Sequence, residues 1–222
     1  MDRVLRSAAR LQELVPDAVL VGGSTAALYA HHRESFDHDH VLTDLADRYE
    51  QVLDAVAASD GWATSVRESK PPMTILGSLD GVEAGLRQLR RSKPLETTQF
   101  EIDADTRVIV PTVEEMLRVK AYLVVQRNYV RDYLNVVGLA DVVGTEQAVS
   151  VLRQIDDHYT DRSEESGSVL TDLVTHLADP RPRDTDVIDE LPEYKGLDPQ
   201  WHEWSTVVSR CQALSLALAG AQ

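Results

Sequence analysis

The chain has 222 residues, 43% of them hydrophobic and 27% charged, with a formal net charge of −15 and a single cysteine. That composition suits a globular protein with one substantial core or two small ones; it excludes a disordered chain, a disulfide-stapled miniprotein and a membrane-spanning bundle. With neither a leader-like apolar start nor an apolar run of spanning length, the sequence predicts a cytoplasmic protein that makes no membrane contact.

In chain order, residues 2–15 read as an amphipathic helix, 17–21 as a short apolar strand, 24–31 as a helix and 37–41 as a strand. A helix follows over 43–58, carrying Leu45, Val52 and Val56 on one face. Strands are expected at 63–67, 73–76, 82–86 and 107–110, with Gly77 to Gly81 as a hairpin loop. At Pro111 and Thr112 the pattern changes: Thr112 is a suitable N-cap, Glu115 stands three residues on, and 113–126 has helical periodicity. Beyond it the chain reads as almost wholly helical, with later helices over 146–158, 168–178 and 201–219 separated by the polar stretches 159–167 and 179–199. The fold class is therefore α+β: a small mixed β-sheet with flanking helices over 1–111, then a helical half over 112–222.

The chemistry-bearing stretch lies near the start. Gly22 and Gly23 follow the first strand where a tight turn needs residues without side-chain bulk, and Ser24 opens a helix whose free N–H groups would favour an anion. Asp37 and Asp39 are two apart, so an extended segment presents both carboxylates on one side, as hard oxygen ligands for one divalent cation, and turns His38 and His40 the other way. Together these features point to metal-assisted phosphoryl chemistry. The alternatives are an ordinary strand-to-helix turn for the glycines and a solvated loop or helix cap for the acids. His38 and His40 lack a third nitrogen ligand and read as partnered or surface histidines. Cys211, near Leu214 and Leu218, reads as a buried helix residue.

Net charge argues against a nucleic-acid partner, but the basic residues are clustered: Arg87, Arg90, Arg91 and Lys93 form one group, and Lys120, Arg127 and Arg131 another. On a single helix the last three would share a narrow arc, a basic stripe or else a solvated face. The acidic excess concentrates at Asp156 and Asp157, Asp161 to Glu165 and Asp184 to Glu193, where it would meet solvent or a basic partner.

The glycine turn with Arg33, Ser35, Asp37 and Asp39 resembles the nucleotidyltransferase superfamily, and within it the AbiEii/AbiGii-type toxin branch that includes MenT-like toxins. Lys120, then Arg127, then Arg131 beside Asp132 match further elements of that branch, while Asn135 stands where the branch usually has an aspartate. The resemblance implies catalytic roles for Asp37, Asp39, Lys120 and Asp132. It implies nucleotide binding by Gly22, Gly23, Ser24, Arg33, Lys120, Arg127 and Arg131, and Mg²⁺ held by Asp37, Asp39 and a third acid. The best third acid is Glu83, with Asp80 and Asp103 as competitors; Asp132 would serve as a base or orient Lys120 or Arg131. The implied reaction transfers a nucleoside monophosphate from a nucleoside triphosphate to an acceptor, RNA such as the tRNA 3′ end or else a protein hydroxyl, in a toxin with a cognate antitoxin. The competing readings are a catalytically inactive nucleotide-binding module and an acidic partner-binding protein.

Overall fold

The computed structural model describes residues 1–91, 93–160 and 167–220, so the acidic run expected over 161–165 lies outside the described residues. The chain divides into two compact units, one of Met1–Thr25, Ser35–Arg90 and Pro94–Thr112, the other of Ala26–Glu34, Arg91–Lys93 and Val113–Gln222. Among the described residues, no helix is long and apolar enough to cross a membrane.

The first unit is built on a five-stranded mixed sheet. Helix α1 (Asp2–Leu14) precedes β1 (Val19–Val21), α2 starts at Gly22 (Gly22–Ala30), and β2 (Asp37–Leu42), α3 (Tyr49–Ala57), β3 (Trp62–Thr64), β4 (Thr74–Leu79) and β5 (Val82–Gln88) follow. The strand order is β1-β2-β5-β4-β3, with β2 and β5 parallel and the other neighbours antiparallel. Alternation decides the faces. His38, His40 and Leu42 of β2, Ala84 and Leu86 of β5, and Ile75 and Leu79 of β4 are buried on one of them. Leu11 and Val15 at the end of α1 and Val52 and Val56 of α3 join that core.

Two expectations are corrected here. The helix expected over 43–58 begins only at Tyr49, because Gln88 accepts from the Ala46 N–H at 2.8 Å and donates to the Thr43 carbonyl at 2.7 Å, holding 43–46 as turns. Residues 77–79, expected in a loop, are strand: Asp80 and Gly81, both at positive φ as a two-residue hairpin of the primed type requires, turn the chain alone. A two-stranded sheet of β6 (Thr97–Glu101) and β7 (Arg107–Pro111) completes the unit. Strand β6 had no sequence signal because Thr97, Thr98, Gln99 and Glu101 are exposed and polar.

The second unit is helical: α4 (Val113–Arg127), α5 (Val130–Val143), α6 (Thr145–Arg153), α7 (Val169–Ala178), the short α8 (Asp186–Asp189) and α9 (Trp204–Gly220). Its core joins Met116, Leu117 and Val124 of α4 to Tyr133 and Leu134 of α5, Leu173 and Leu177 of α7, and Cys211 and Leu214 of α9. Burial pushes the Cys211 thiol up to about 12, as befits a packing residue. Glu115 is fully buried; its carboxylate pairs with Arg91 at 2.5 Å and with Arg118, and Arg91 also lies over the Tyr159 ring. Arg91 is thus a core ion-pair residue and leaves the basic cluster expected at 87–93.

Candidate active site

In the first unit the acids lie against the glycine turn, and helix α2 begins at Gly22, two residues before the start at Ser24 that the sequence predicts. Gly22, at φ +84°, turns the chain from β1 into α2. A β-carbon there would stand 3.5 Å from Asp39 Oδ2. Asp37 and Asp39 are half-buried on the face of the sheet opposite His38 and His40. The parallel register sets Glu83 beside Asp37, Gly85 beside Asp39 and Arg87 beside Val41, so Glu83 and Arg87 share the acids' face and both are exposed. Glu83's two competitors lie elsewhere: Asp80 sits in the β4–β5 turn paired with Arg10, and Asp103 pairs with Arg6 at 2.7 Å.

Local hydrogen bonds fix the two aspartates. Ser35 donates to Asp37 Oδ1 at 3.0 Å, and Arg87 Nε donates to Asp39 Oδ1 at 3.0 Å. A β-carbon on Gly85 would fall 2.4 Å from Asp39 Oδ1, so the carboxylate rests in space that only glycine leaves open. The Ser24 hydroxyl donates to the Asp37 carbonyl, tying α2 to β2. That bond commits the buried Ser24 hydroxyl to the chain itself and leaves the backbone N–H groups of the first turn for an anion.

Three carboxylates on one face of two adjacent strands, with no nitrogen or sulfur in the set, match a hard divalent cation in donor type, although their oxygens are not gathered within 4.8 Å of one another. Gly22 and Gly85, which make room for Asp39, are part of that fit. On the opposite face His38 Nε2 bonds Ser7 Oγ at 3.0 Å, and the His38 and His40 rings meet edge to face at 5.3 Å. Burial pushes His38 down to about 4 against the pull of Asp39 and Asp37, and pushes His40 well below its usual value, so both are neutral core residues.

In the second unit Lys120 is buried on α4, and Arg127 ends that helix. Arg131 lies on α5, so the single-helix basic stripe does not exist. The break has a local cause. Asn128 takes φ +55°, the Asn128 carbonyl accepts from the Arg183 N–H at 2.8 Å, and Tyr129 caps a new helix. Asp132, fully buried, accepts two-pronged bonds from Arg127 at 2.6–3.0 Å and one from the Tyr129 N–H at 3.3 Å. It therefore orients Arg127, where Lys120 or Arg131 was expected. Arg131 stacks over the Tyr129 ring at 5.5 Å.

Arg33 follows His32, whose Nε2 meets Asn135 Oδ1 at 3.0 Å. The neighbouring backbone is anchored by Asp198 N–H on the His32 carbonyl at 2.8 Å and by Glu34 N–H on the Lys195 carbonyl at 2.7 Å. Burial first, and the Arg33 charge second, push His32 down to about 4 despite the Asn135 bond; Lys120 and His31 add to the lowering. Sequence reasoning gave Asn135 no partner and placed Arg87 only in a cluster. The signal available for Arg87 was the alternation Glu83, Gly85, Arg87 along a strand.

No family model matches the chain. Curated relatives include the heme uptake protein MmpL11 of Mycobacterium tuberculosis, 30% identical over 97% of this chain and 22% of its own length. The mycolic acid-containing lipids exporter MmpL11 of Mycolicibacterium smegmatis is 32% identical over 59% of this chain and 13% of its own. The chain thus spans about a fifth, or less, of the curated relatives it matches. Among solved structures, a candidate nucleotidyltransferase from H. pylori superposes with a TM-score of 0.57 at 14% identity, covering 98% of this chain and 93% of its own. MenT4, the nucleotidyltransferase toxin Rv2826c of M. tuberculosis H37Rv, does so with a TM-score of 0.53 at 14% identity, covering 99% and 84%. The mixed sheet, its flanking helices and the helical half together are the nucleotidyltransferase fold, shared over nearly the whole chain with these solved proteins.

Proposed function

We propose that the chain is a metal-dependent nucleotidyltransferase that moves a nucleoside monophosphate from a nucleoside triphosphate onto RNA, such as the tRNA 3′ end, as the toxin of a toxin–antitoxin pair. The observation that carries the reading is the acid face of β2 and β5: Asp37, Asp39 and Glu83 share it in register, and Asp39 lies against the Gly22 turn. Asp37, Asp39 and Glu83 would hold Mg²⁺, which when bound withdraws charge from the α-phosphate and from the departing pyrophosphate. Backbone N–H groups of Gly23 and Ser24 in the first turn of α2 donate to the terminal phosphates. Within the second unit, the sequence resemblance assigns nucleotide binding to Lys120, Arg33, Arg127 and Arg131, and Asp132 fixes Arg127. In the transfer the acceptor hydroxyl oxygen bonds to the α-phosphorus, the bond from that phosphorus to the bridging pyrophosphate oxygen breaks, and the hydroxyl proton passes to water. The toxin role rests on the likeness to MenT4, and the antitoxin partner on the sequence resemblance to the toxin branch.

The test incubates the protein with Mg²⁺, each α-labelled nucleoside triphosphate and total RNA, beside an Asp37→Ala/Asp39→Ala variant. Label in RNA from the wild type alone supports the transferase; no label sinks it. A second reading, a nucleotide-binding module without turnover that regulates a partner, is favoured by relatives named as transport proteins that align with this chain over about a fifth of their length. Saturable nucleotide binding without label transfer would select it.

A further inference from the structure

We propose that Arg87 stands in for a second cation at the Asp37 and Asp39 pair, so that the site takes a single divalent ion. The proposal rests on the metal-dependent reading above and specifies its stoichiometry. Two-metal sites need carboxylates whose oxygens are shared between ions about 3.5–4 Å apart. Here one oxygen of each aspartate is committed to a donor from the chain itself. Asp37 Oδ1 accepts from the Ser35 hydroxyl at 3.0 Å and Asp39 Oδ1 from Arg87 Nε at 3.0 Å.

Asp39 Oδ1 is also hemmed in by the β5 backbone, since a β-carbon at Gly85 would lie 2.4 Å from it. Its other oxygen faces the Gly22 turn, 3.5 Å from where a β-carbon of Gly22 would be. Among the described residues no hydrogen bond reaches Asp37 Oδ2 or Asp39 Oδ2, which leaves one oxygen of each acid for a shared ion. Charge agrees with geometry. The Arg87 guanidinium sits on Asp39 alone and already balances that carboxylate's charge, while Asp37 and Glu83, side by side in the register, keep theirs for one divalent cation.

The test counts bound Mn²⁺ from the loss of the free-ion electron paramagnetic resonance signal, using the metal alone on the full chain. Wild type is expected to bind one ion per chain, Arg87→Ala two, and Arg87→Lys, which keeps the charge, one. Arg87 is 46% exposed, so these variants should fold, and far-UV circular dichroism verifies it. Two ions on wild type, or one on Arg87→Ala, overturns the proposal. Mn²⁺ binding that survives Asp37→Ala/Asp39→Ala, or no binding by wild type, removes the metal site itself and the proposal with it.

Discussion

Asp39 lies between two glycines, and that packing makes Gly85 as consequential as the carboxylate. Gly85→Ala would drive a methyl to 2.4 Å from Asp39 Oδ1, so either the acid or strand β5 must shift. We expect a stability loss of about 1–3 kcal/mol, typical of overpacking, and nucleotide transfer reduced at least ~10-fold by the displaced carboxylate. Thermal unfolding and the label-transfer assay read the two effects separately. Asn135 offers a different test. As an amide it leaves His32 neutral near Arg33 and Lys120, with His32 down at about 4. Asn135→Asp would add an opposite charge 3.0 Å from Nε2, so the His32 titration should move upward, visible in the histidine NMR signals; no movement would remove the account.

The α4–α5 junction shows how one buried carboxylate serves two elements. Asp132 fixes Arg127 at the end of α4 and caps the start of α5 through the Tyr129 N–H, while Asp184 accepts from the Val130 N–H at 2.8 Å. Asp132→Ala removes the cap and leaves Arg127, one-third exposed, without this carboxylate. The expected cost is about 2–4 kcal/mol, measured as a lower urea midpoint, with Asp132→Asn recovering part of the cap. Asn128→Gly suits the backbone at φ +55° but removes the bonds to the Arg181 carbonyl and from the buried Tyr133 hydroxyl, so a loss of about 1–3 kcal/mol is expected in the same urea measurement. Helical periodicity across 113–126 gave no hint of the junction, because the residues that end α4 draw on 181–184, more than fifty positions away.

Acid should weaken the chain through its buried histidines. His32 and His38 are pushed down to about 4 and His40 well below its usual value, all by burial first. The unfolded chain therefore binds more protons than the folded one below the ordinary histidine range. The stability from keeping these rings neutral is complete above about pH 6.5 and is lost as pH falls through about 4, each unit of lowering being worth about 1.4 kcal/mol. Melting temperatures at pH 7, 5.5 and 4.5 should fall, less steeply for His38→Gln. An unchanged slope in that variant would assign the acid loss to other groups. Protonation of carboxylates works the other way by relieving self-repulsion at a net charge of −15, which is why the comparison between variants decides.

The sequence by itself determined whatever depends on neighbours a few residues apart. The glycine turn into α2, the two aspartates on one side of β2 and the histidines on the other follow from a period of two and from backbone room. The α+β order and the buried Cys211 were equally legible, since apolar spacing alone carries them. Only the tertiary structure decided what depends on register between distant segments. It placed Glu83, and neither Asp80 nor Asp103, beside Asp37, set Arg87 on Asp39, paired Asp132 with Arg127, and gave Asn135 to His32. Those pairings join residues brought together by strand register, chain reversal and core packing, and periodicity along one segment holds no information about which partner another segment will present.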